Sequence, residues 1–148
     1  MIKPLLRAEG IISNSDYTKF LVQCDLEESF YRLPGGSIEF GERASNAIVR
    51  ELIEEFDLQV CVGELICVNE SMIEYEGKKR HNCTLIHWCS VDKQIDGPLI
   101  HKELKDEKLI WRTLKQLKLK QVYPEGILDV ITTNAKYIKH IVVERAYE

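Results

Sequence analysis

The chain has 148 residues, 45% of them apolar and 30% charged, and a net charge of −4. That is the length of one domain with ample material for a core, which argues against a disordered chain and against two independent cores. The acidic balance argues against a basic surface gripping nucleic acid, but it leaves room for a small anion held by a metal or a local cation cluster.

Five cysteines (Cys24, Cys61, Cys67, Cys83, Cys89) sit in apolar stretches. Their number is odd and there is no C-x-x-C pair, so they read as small buried hydrophobes in a reducing compartment. The four histidines do not supply zinc-ligand spacing. The start MIKPLLRAEG lacks the apolar core of a signal peptide. No apolar run approaches the roughly 18–20 residues of a membrane span. The expectation is a cytoplasmic protein with no membrane partner and no stable nucleic-acid partner.

In chain order, Leu5 to Ile12 and Thr18 to Gln23 read as strands joined by the polar turn Ser13–Asp16. A short strand, Phe30 to Leu33, runs into Pro34-Gly35-Gly36. A fixed φ followed by two permissive residues predicts a rigid, tightly bent loop there. A helix is expected from about Glu42 to Phe56, with Ile48, Val49, Leu52, Ile53 and Phe56 forming its apolar stripe. Leu58 to Val68 and Thr84 to Val91 read as strands, with a hairpin tip at Glu76–Lys79. Lys108 to Arg112 is a short strand and Leu114 to Leu119 a short helix. Pro124 opens a second helix to about Thr133. Tyr137 to Glu144 alternates weakly, as a last strand or a partner contact. The pattern predicts a single α/β domain over residues 1–148 with a mixed sheet, and the strand-like tail suits a homodimer.

The first helix carries an unusual face. Residues turn by about 100° each, so Glu51, Glu54 and Glu55 project into roughly one 100° sector. Ala44 and Ala47, one turn back, leave room for something to dock. Glu51 and Glu55 are a like-charge i,i+4 pair, which costs a few tenths of a kcal/mol. Glu54 and Glu55 oppose the helix dipole by roughly 0.3–1 kcal/mol. A solvated acidic face is the plain reading. The alternative is a hard cation such as Mg²⁺, which takes oxygen ligands and completes its shell with water and substrate phosphates.

The stretch from Gly36, G-SIEFG-E-RASNAIV-RE-L-I-EE-F-D-L, resembles the signature of the Nudix hydrolases. Gly36, Glu42, Arg50, Glu51, Glu54 and Glu55 match in identity and spacing, and Leu52 and Leu58 match in type. Asp57 stands where the family has glycine. Asp tolerates the left-handed cap that such a glycine serves, so the helix end is expected to survive.

The resemblance implies a Nudix-like α/β/α sandwich. It implies Glu51, Glu54 and Glu55 as ligands of Mg²⁺ or Mn²⁺, with the Gly36 carbonyl as a further ligand. Arg50 would hold a motif glutamate, and Glu42 would belong to that network or to an outer shell. The implied reaction is hydrolysis of a pyrophosphate bond in a nucleoside diphosphate linked to another moiety. A non-catalytic nucleotide-sensing domain is the alternative.

Candidate bases are Glu51 and, from the loop before Trp111, Glu103, Asp106 and Glu107. Arg7 and Arg32 are candidate phosphate contacts by bidentate pairing. Lys78, Lys79 and Arg80 form a basic hairpin tip, which reads as a solvated feature or as a reach over a polyphosphate. His81 and His87 read as packing or surface residues. Tyr31, Tyr75, Trp88 and Trp111 read as packing residues or as stacking platforms for a base.

Overall fold

A computed structural model describes residues 2–147. The chain enters through β1 (Leu5–Ser13) and returns through β2 (Lys19–Asp25) after a turn at Asn14 to Thr18, where the Asn14 side chain receives the Thr18 and Lys19 amides. β3 (Tyr31–Arg32) and β4 (Gly35–Ser37) lead into α1 (Ala44–Phe56). The helix starts two residues later than its pattern suggests, after Arg43 in extended geometry. Next come β5 (Cys61–Tyr75), β6 (Lys78–Ser90), β7 (Leu99–Ile100) and β8 (Glu107–Thr113). The chain then runs through α2 (Leu114–Leu117), β9 (Val122–Tyr123), α3 (Ile127–Thr132) and β10 (Lys139–Tyr147).

The strand order is β10-β5-β6-β1-β2-β3-β9, with β4 on β1 and β7-β8 on β2. β1–β6, β10–β5 and β3–β9 are parallel pairs and the others antiparallel, so the sheet is mixed, as expected. Two apolar layers cover its faces. Ala47, Ile48, Leu52 and Phe56 of α1 pack with Ala8, Ile12, Leu21 and Leu109 on one side. Leu117 of α2 and Ile127, Val130 and Ile131 of α3 pack with Ile11, Val22 and Ile86 on the other. That is the α/β/α sandwich.

The helix's apolar stripe falls on the sheet as its spacing predicts, except that Ile53 is partly exposed. Ala47 belongs to the same buried face, so it is core and not a vacancy over the carboxylates. Asp57 takes φ 53°, ψ 38°, and its amide and that of Leu58 close on the Ile53 and Leu52 carbonyls. The left-handed cap therefore forms without glycine.

Other differences have local causes. β5 runs to Tyr75, well past Val68, because residues 69–75 are sandwiched between β6 and β10 and need no alternating pattern. Pro124 lies in a cis Tyr123–Pro124 turn and its carbonyl accepts from Ile127, so α3 begins three residues later. The tail is a strand, parallel to β5. Three of the cysteines are buried and Cys83 is intermediate, but Cys61 is exposed, which corrects the reading of all five as core. Among the described residues no helix is long and apolar enough to cross a membrane.

The placement of the site follows from one split. The end of β1 (Ile12, Ser13) pairs with β2, whereas its first half (Arg7 to Glu9) pairs with β4. Gly10 donates to the Pro34 carbonyl at 3.0 Å where the two regimes meet. The Pro-Gly-Gly segment is thus wedged into the sheet beside α1. The turn before β3 is held from β8: Arg112 and Lys108 both bond the Glu28 carboxylate, and Tyr31 donates to it at 2.9 Å. Against the cost of its burial, these bonds hold the Glu28 carboxyl down at about 2.

Candidate active site

Gly35 and Gly36 stand where they do because nothing larger fits. Gly35 has φ +150°, and a Cβ there would sit 2.1 Å from the Ala8 carbonyl oxygen. At Gly36 a Cβ would sit 2.4 Å from Cδ of Glu51. The glycine pair therefore presses the loop backbone against β1 on one side and against the Glu51 carboxylate on the other.

Arg50 organises the acidic helix face. Its Nε and Nη2 grip both oxygens of Glu42 at 2.8 and 2.9 Å. Nη2 also donates to the Ser37 carbonyl at 3.0 Å, tying helix to loop. Nη1 donates to Glu51 Oε1 at 3.0 Å and to Glu54 Oε2 at 3.2 Å. The Arg50 bonds, with a backbone bond from Glu39, hold the Glu42 carboxyl down at about 2. The guanidinium is held above its ordinary value, first by Glu42 and then by Glu51. The arginine that the motif suggests as a holder of one glutamate holds three.

Glu55 stands outside this network. Burial, then a hydrogen bond and charge from Glu51, push its carboxyl up to about 8, while Arg32 and Arg7 act in the opposite sense. Two carboxylates this close cannot both ionise cheaply. The three acids do not converge equally. Glu51 and Glu55 face one another, and Glu54, 59% exposed, is turned onto Arg50. Among the described residues no three acidic, histidine or cysteine side chains form a ready-made metal cage. The donor set still fits a hard divalent ion: Glu51 and Glu55 offer only oxygen, carry two negative charges when both are ionised, and repel one another until a cation lies between them.

Arg7 and Arg32 both come to the site, and both act on Glu55 and on Glu9. Glu9, only 8% exposed, is a member that the sequence reading passed over. Burial raises its carboxyl in spite of the Arg7 and Arg32 charges, and Arg7 bonds it at 3.2–3.3 Å through Nη2 and Nε. A lone acid two residues from an arginine inside an apolar strand was the available signal. Arg32 acts on Glu9 and Glu55 through its charge.

The loop before β8 behaves differently from expectation. Glu103 and Asp106 are exposed. Glu107 is partly buried and accepts from Gln23 Nε2 at 2.7 Å. The loop residue that reaches α1 is His101, 5% exposed, with Nε2 3.6 Å from Glu55 Oε2. The other candidates stay away from the acids. His87 bonds the Gly63 carbonyl. Lys78, Lys79 and Arg80 pair with the end of β5. Trp88 and Trp111 are packed against the two cores, and Tyr31 is buried and serves Glu28. Tyr75 is exposed at the hairpin end.

A sequence model of the NUDIX domain matches residues 4–130. The chain belongs to the NUDIX domain family. The match takes in the Nudix signature, both glycines, the acidic helix and the first part of α3, and stops short of β10. Solved structures of the Nudix fold align over nearly the whole chain. A NUDIX hydrolase from Nitrosomonas europaea superposes with a TM-score of 0.70 at 12% identity, covering 99% of this chain and 81% of its own. A MutT protein from Bacillus halodurans gives 0.64 at 20% identity, covering 92% and 89%. An ADP-ribose pyrophosphatase from Streptococcus suis gives 0.58 at 14%, covering 95% and 99%. At these identities the likeness is one of fold. No curated protein matches this Nudix chain in sequence.

Proposed function

We propose that this Nudix-family chain is a divalent-metal-dependent pyrophosphohydrolase that cleaves a nucleoside diphosphate linked to another moiety. The observation that carries the reading is the Glu51–Glu55 pair held against Gly36, with Glu55 driven up to about 8. Such a pair is self-repelling when ionised and is relieved by a cation. The names of structures that share the fold, an ADP-ribose pyrophosphatase among them, bear on the class of reaction.

Glu51, Glu54, Glu55 and the Gly36 carbonyl would hold Mg²⁺ or Mn²⁺. When bound, the ion supplies charge neutralisation on the pyrophosphate and acidifies water. The chain's own residues do the rest. Arg50 ties Glu51 and Glu54 to the backbone at Ser37, which limits how far the two acids can move. Arg32, and Arg7 oriented by Glu9, supply fixed positive charge for a diphosphate. Glu51 is the candidate base that lies inside the cluster, placed to take the proton of an attacking water. Glu107 is committed to Gln23, and Glu103 and Asp106 face solvent. Glu42 anchors Arg50 and accepts the Glu39 amide, which puts it in the outer shell of the site.

The test is a panel of nucleotide substrates with Mg²⁺ or Mn²⁺, reading release of monophosphate and phosphate. Nucleotide sugars, ADP-ribose, dinucleoside polyphosphates, oxidised triphosphates and capped RNA ends span the class. Glu54→Gln and Glu55→Gln are expected to keep the fold and lose most of the turnover. Turnover within threefold of wild type in both refutes the ligand assignment. Tight nucleotide binding with no turnover of any substrate identifies the sensing domain instead.

A further inference from the structure

His101 is an uncommon residue to find where it lies. It sits in the loop between β7 and β8, is 5% exposed, and stands edge-on against Phe56 with ring centroids 5.2 Å apart. Its Nδ1 faces two backbone donors at once, the amides of Glu103 at 3.1 Å and Leu104 at 2.9 Å. Two N–H groups converging on one ring nitrogen fix that nitrogen as an acceptor. The ring proton of the neutral imidazole is therefore on Nε2. Nε2 is the atom directed at Glu55, 3.6 Å from Oε2. That separation is too long for a hydrogen bond, but it aims an N–H dipole at the carboxylate.

The loop has no freedom to aim it elsewhere. The Lys102 amide donates to the Glu55 carbonyl at 2.7 Å, capturing one of the carbonyls that a helix end leaves open. The His101 amide donates to the Glu107 carbonyl at 2.9 Å. Loop, ring and the last turn of α1 form one unit, in which backbone of residues 102–104 sets the tautomer and the tautomer sets what Glu55 meets. The same bonds exclude His101 as a base, since the nitrogen pointing at the acids carries the hydrogen.

We propose that His101 is a positioning residue: its Nε2–H, locked in that tautomer by the 103–104 amides, holds the Glu55 carboxylate in its ion-binding orientation. The inference rests on the reading of Glu55 as a ligand. No charged partner is introduced that would compete with a cation for the same oxygens. The contact stands where outer-shell groups orient metal-bound side chains, groups whose loss typically costs about 10–100-fold in metal affinity or activity.

The two functions of the ring can be separated, because asparagine places an acceptor near the position of Nδ1 and glutamine places a donor near the position of Nε2. His101→Asn keeps the loop clamp and removes the arm toward Glu55. His101→Gln keeps the arm and removes the clamp. Mn²⁺ binding by calorimetry, kcat and KM, thermal midpoint, and hydrogen exchange of the Glu103 and Leu104 amides are measured for the intact protein and both variants. H101N is expected to keep its midpoint and amide protection, bind Mn²⁺ about tenfold more weakly and lose kcat by a similar factor at unchanged KM. H101Q is expected to recover most of the Mn²⁺ affinity and kcat while its loop amides exchange faster. Wild-type Mn²⁺ affinity and kcat in H101N overturn the inference, as does weaker Mn²⁺ binding by H101Q than by H101N. Both results would make the ring a loop clamp alone. Absence of Mn²⁺ uptake by the unsubstituted protein is a different failure: it overturns the ligand reading of Glu55 itself, and this inference with it.

Discussion

Replacing Glu55 by glutamine should stabilise the metal-free fold at alkaline pH while abolishing its response to metal. The Glu55 carboxyl is pushed up to about 8 by burial and by Glu51. Its ordinary value is near 4.5, so between those two pH values the folded chain keeps a proton that the unfolded chain has released. Stability must then fall as pH rises from about 4.5 to about 8 and level off above it. At about 1.4 kcal/mol per pH unit the ceiling is roughly 5 kcal/mol. A fifth of the side chain is open to water and the proton is shared with Glu51. Screening and sharing bring the expected cost to roughly 2 kcal/mol, or about 4–8 °C in a domain of this size.

The glutamine side chain copies the protonated acid, since its amide can donate to Glu51 as the carboxyl does, and it cannot ionise. In EDTA, thermal and urea melts of wild type and E55Q should coincide near pH 5 and separate progressively to pH 9, with E55Q the more stable. Added Mg²⁺ or Mn²⁺ should reverse the order at pH 8, because only wild type gains from binding. A wild-type protein whose metal-free stability is flat or rises from pH 5 to 8 refutes the reasoning. So does an E55Q protein no more stable than wild type at pH 9.

The remaining predictions concern the frame around that pair. Gly36→Ala puts a methyl into the Glu51 carboxyl, the far end of a flexible side chain, so circular dichroism and melting should change little while turnover falls about 100-fold. Gly35→Ala meets the Ala8 backbone instead, at a positive φ, and should lower the melting temperature before any question of activity arises. Arg50→Lys loses the two-oxygen grip on Glu42 and the tie to Ser37. Glu42 then titrates nearer its ordinary value, so the stabilisation that wild type holds at neutral pH and loses between about 4.5 and about 2 should be missing from the variant, whose acid unfolding curve should start lower and approach that of wild type near pH 2. If Arg32 serves substrate binding as proposed, Arg32→Ala should raise KM at least severalfold with kcat little changed; an unchanged KM removes Arg32 from the site.

What the sequence disclosed and what it hid divide by range. The acidic helix was legible because its information is local: helical spacing places Ile48, Leu52 and Phe56 on the sheet and Arg50, Glu51 and Glu54 off it. The two glycines were legible because a proline-fixed φ followed by two residues free to take positive φ marks a tight bend. Glu9 was not, because its role depends on β1 pairing with β4, a register that no local pattern encodes. His101 was hidden for the same reason. Only the folded loop brings it to a helix end that lies far earlier in the chain. Gln23 and Glu107 meet only through the β2–β8 register, which removes Glu107 from the list of free acids in the preceding loop. The extra half of β5 was missed because strands on both sides relieve it of the need for an alternating face.

The charge arrangement also explains why the three motif glutamates are not equivalent. α1 has no basic residue in its last turn, so its only large compensation is Arg50. One guanidinium, with five donors, is divided among Glu42, Glu51, Glu54 and the Ser37 carbonyl. Nothing of it is left for Glu55, whose carboxyl is pushed upward. The unmet demand for positive charge therefore lies on the Gly36 side, between Glu51 and Glu55, and not at the exposed Glu54. On the proposed function, a dication arriving with a diphosphate would be drawn to that side, where Arg7 and Arg32 act on the same acids. The self-repelling pair is thus confined to the place where ion and substrate charge would cancel it, and the rest of the helix face is neutralised in advance.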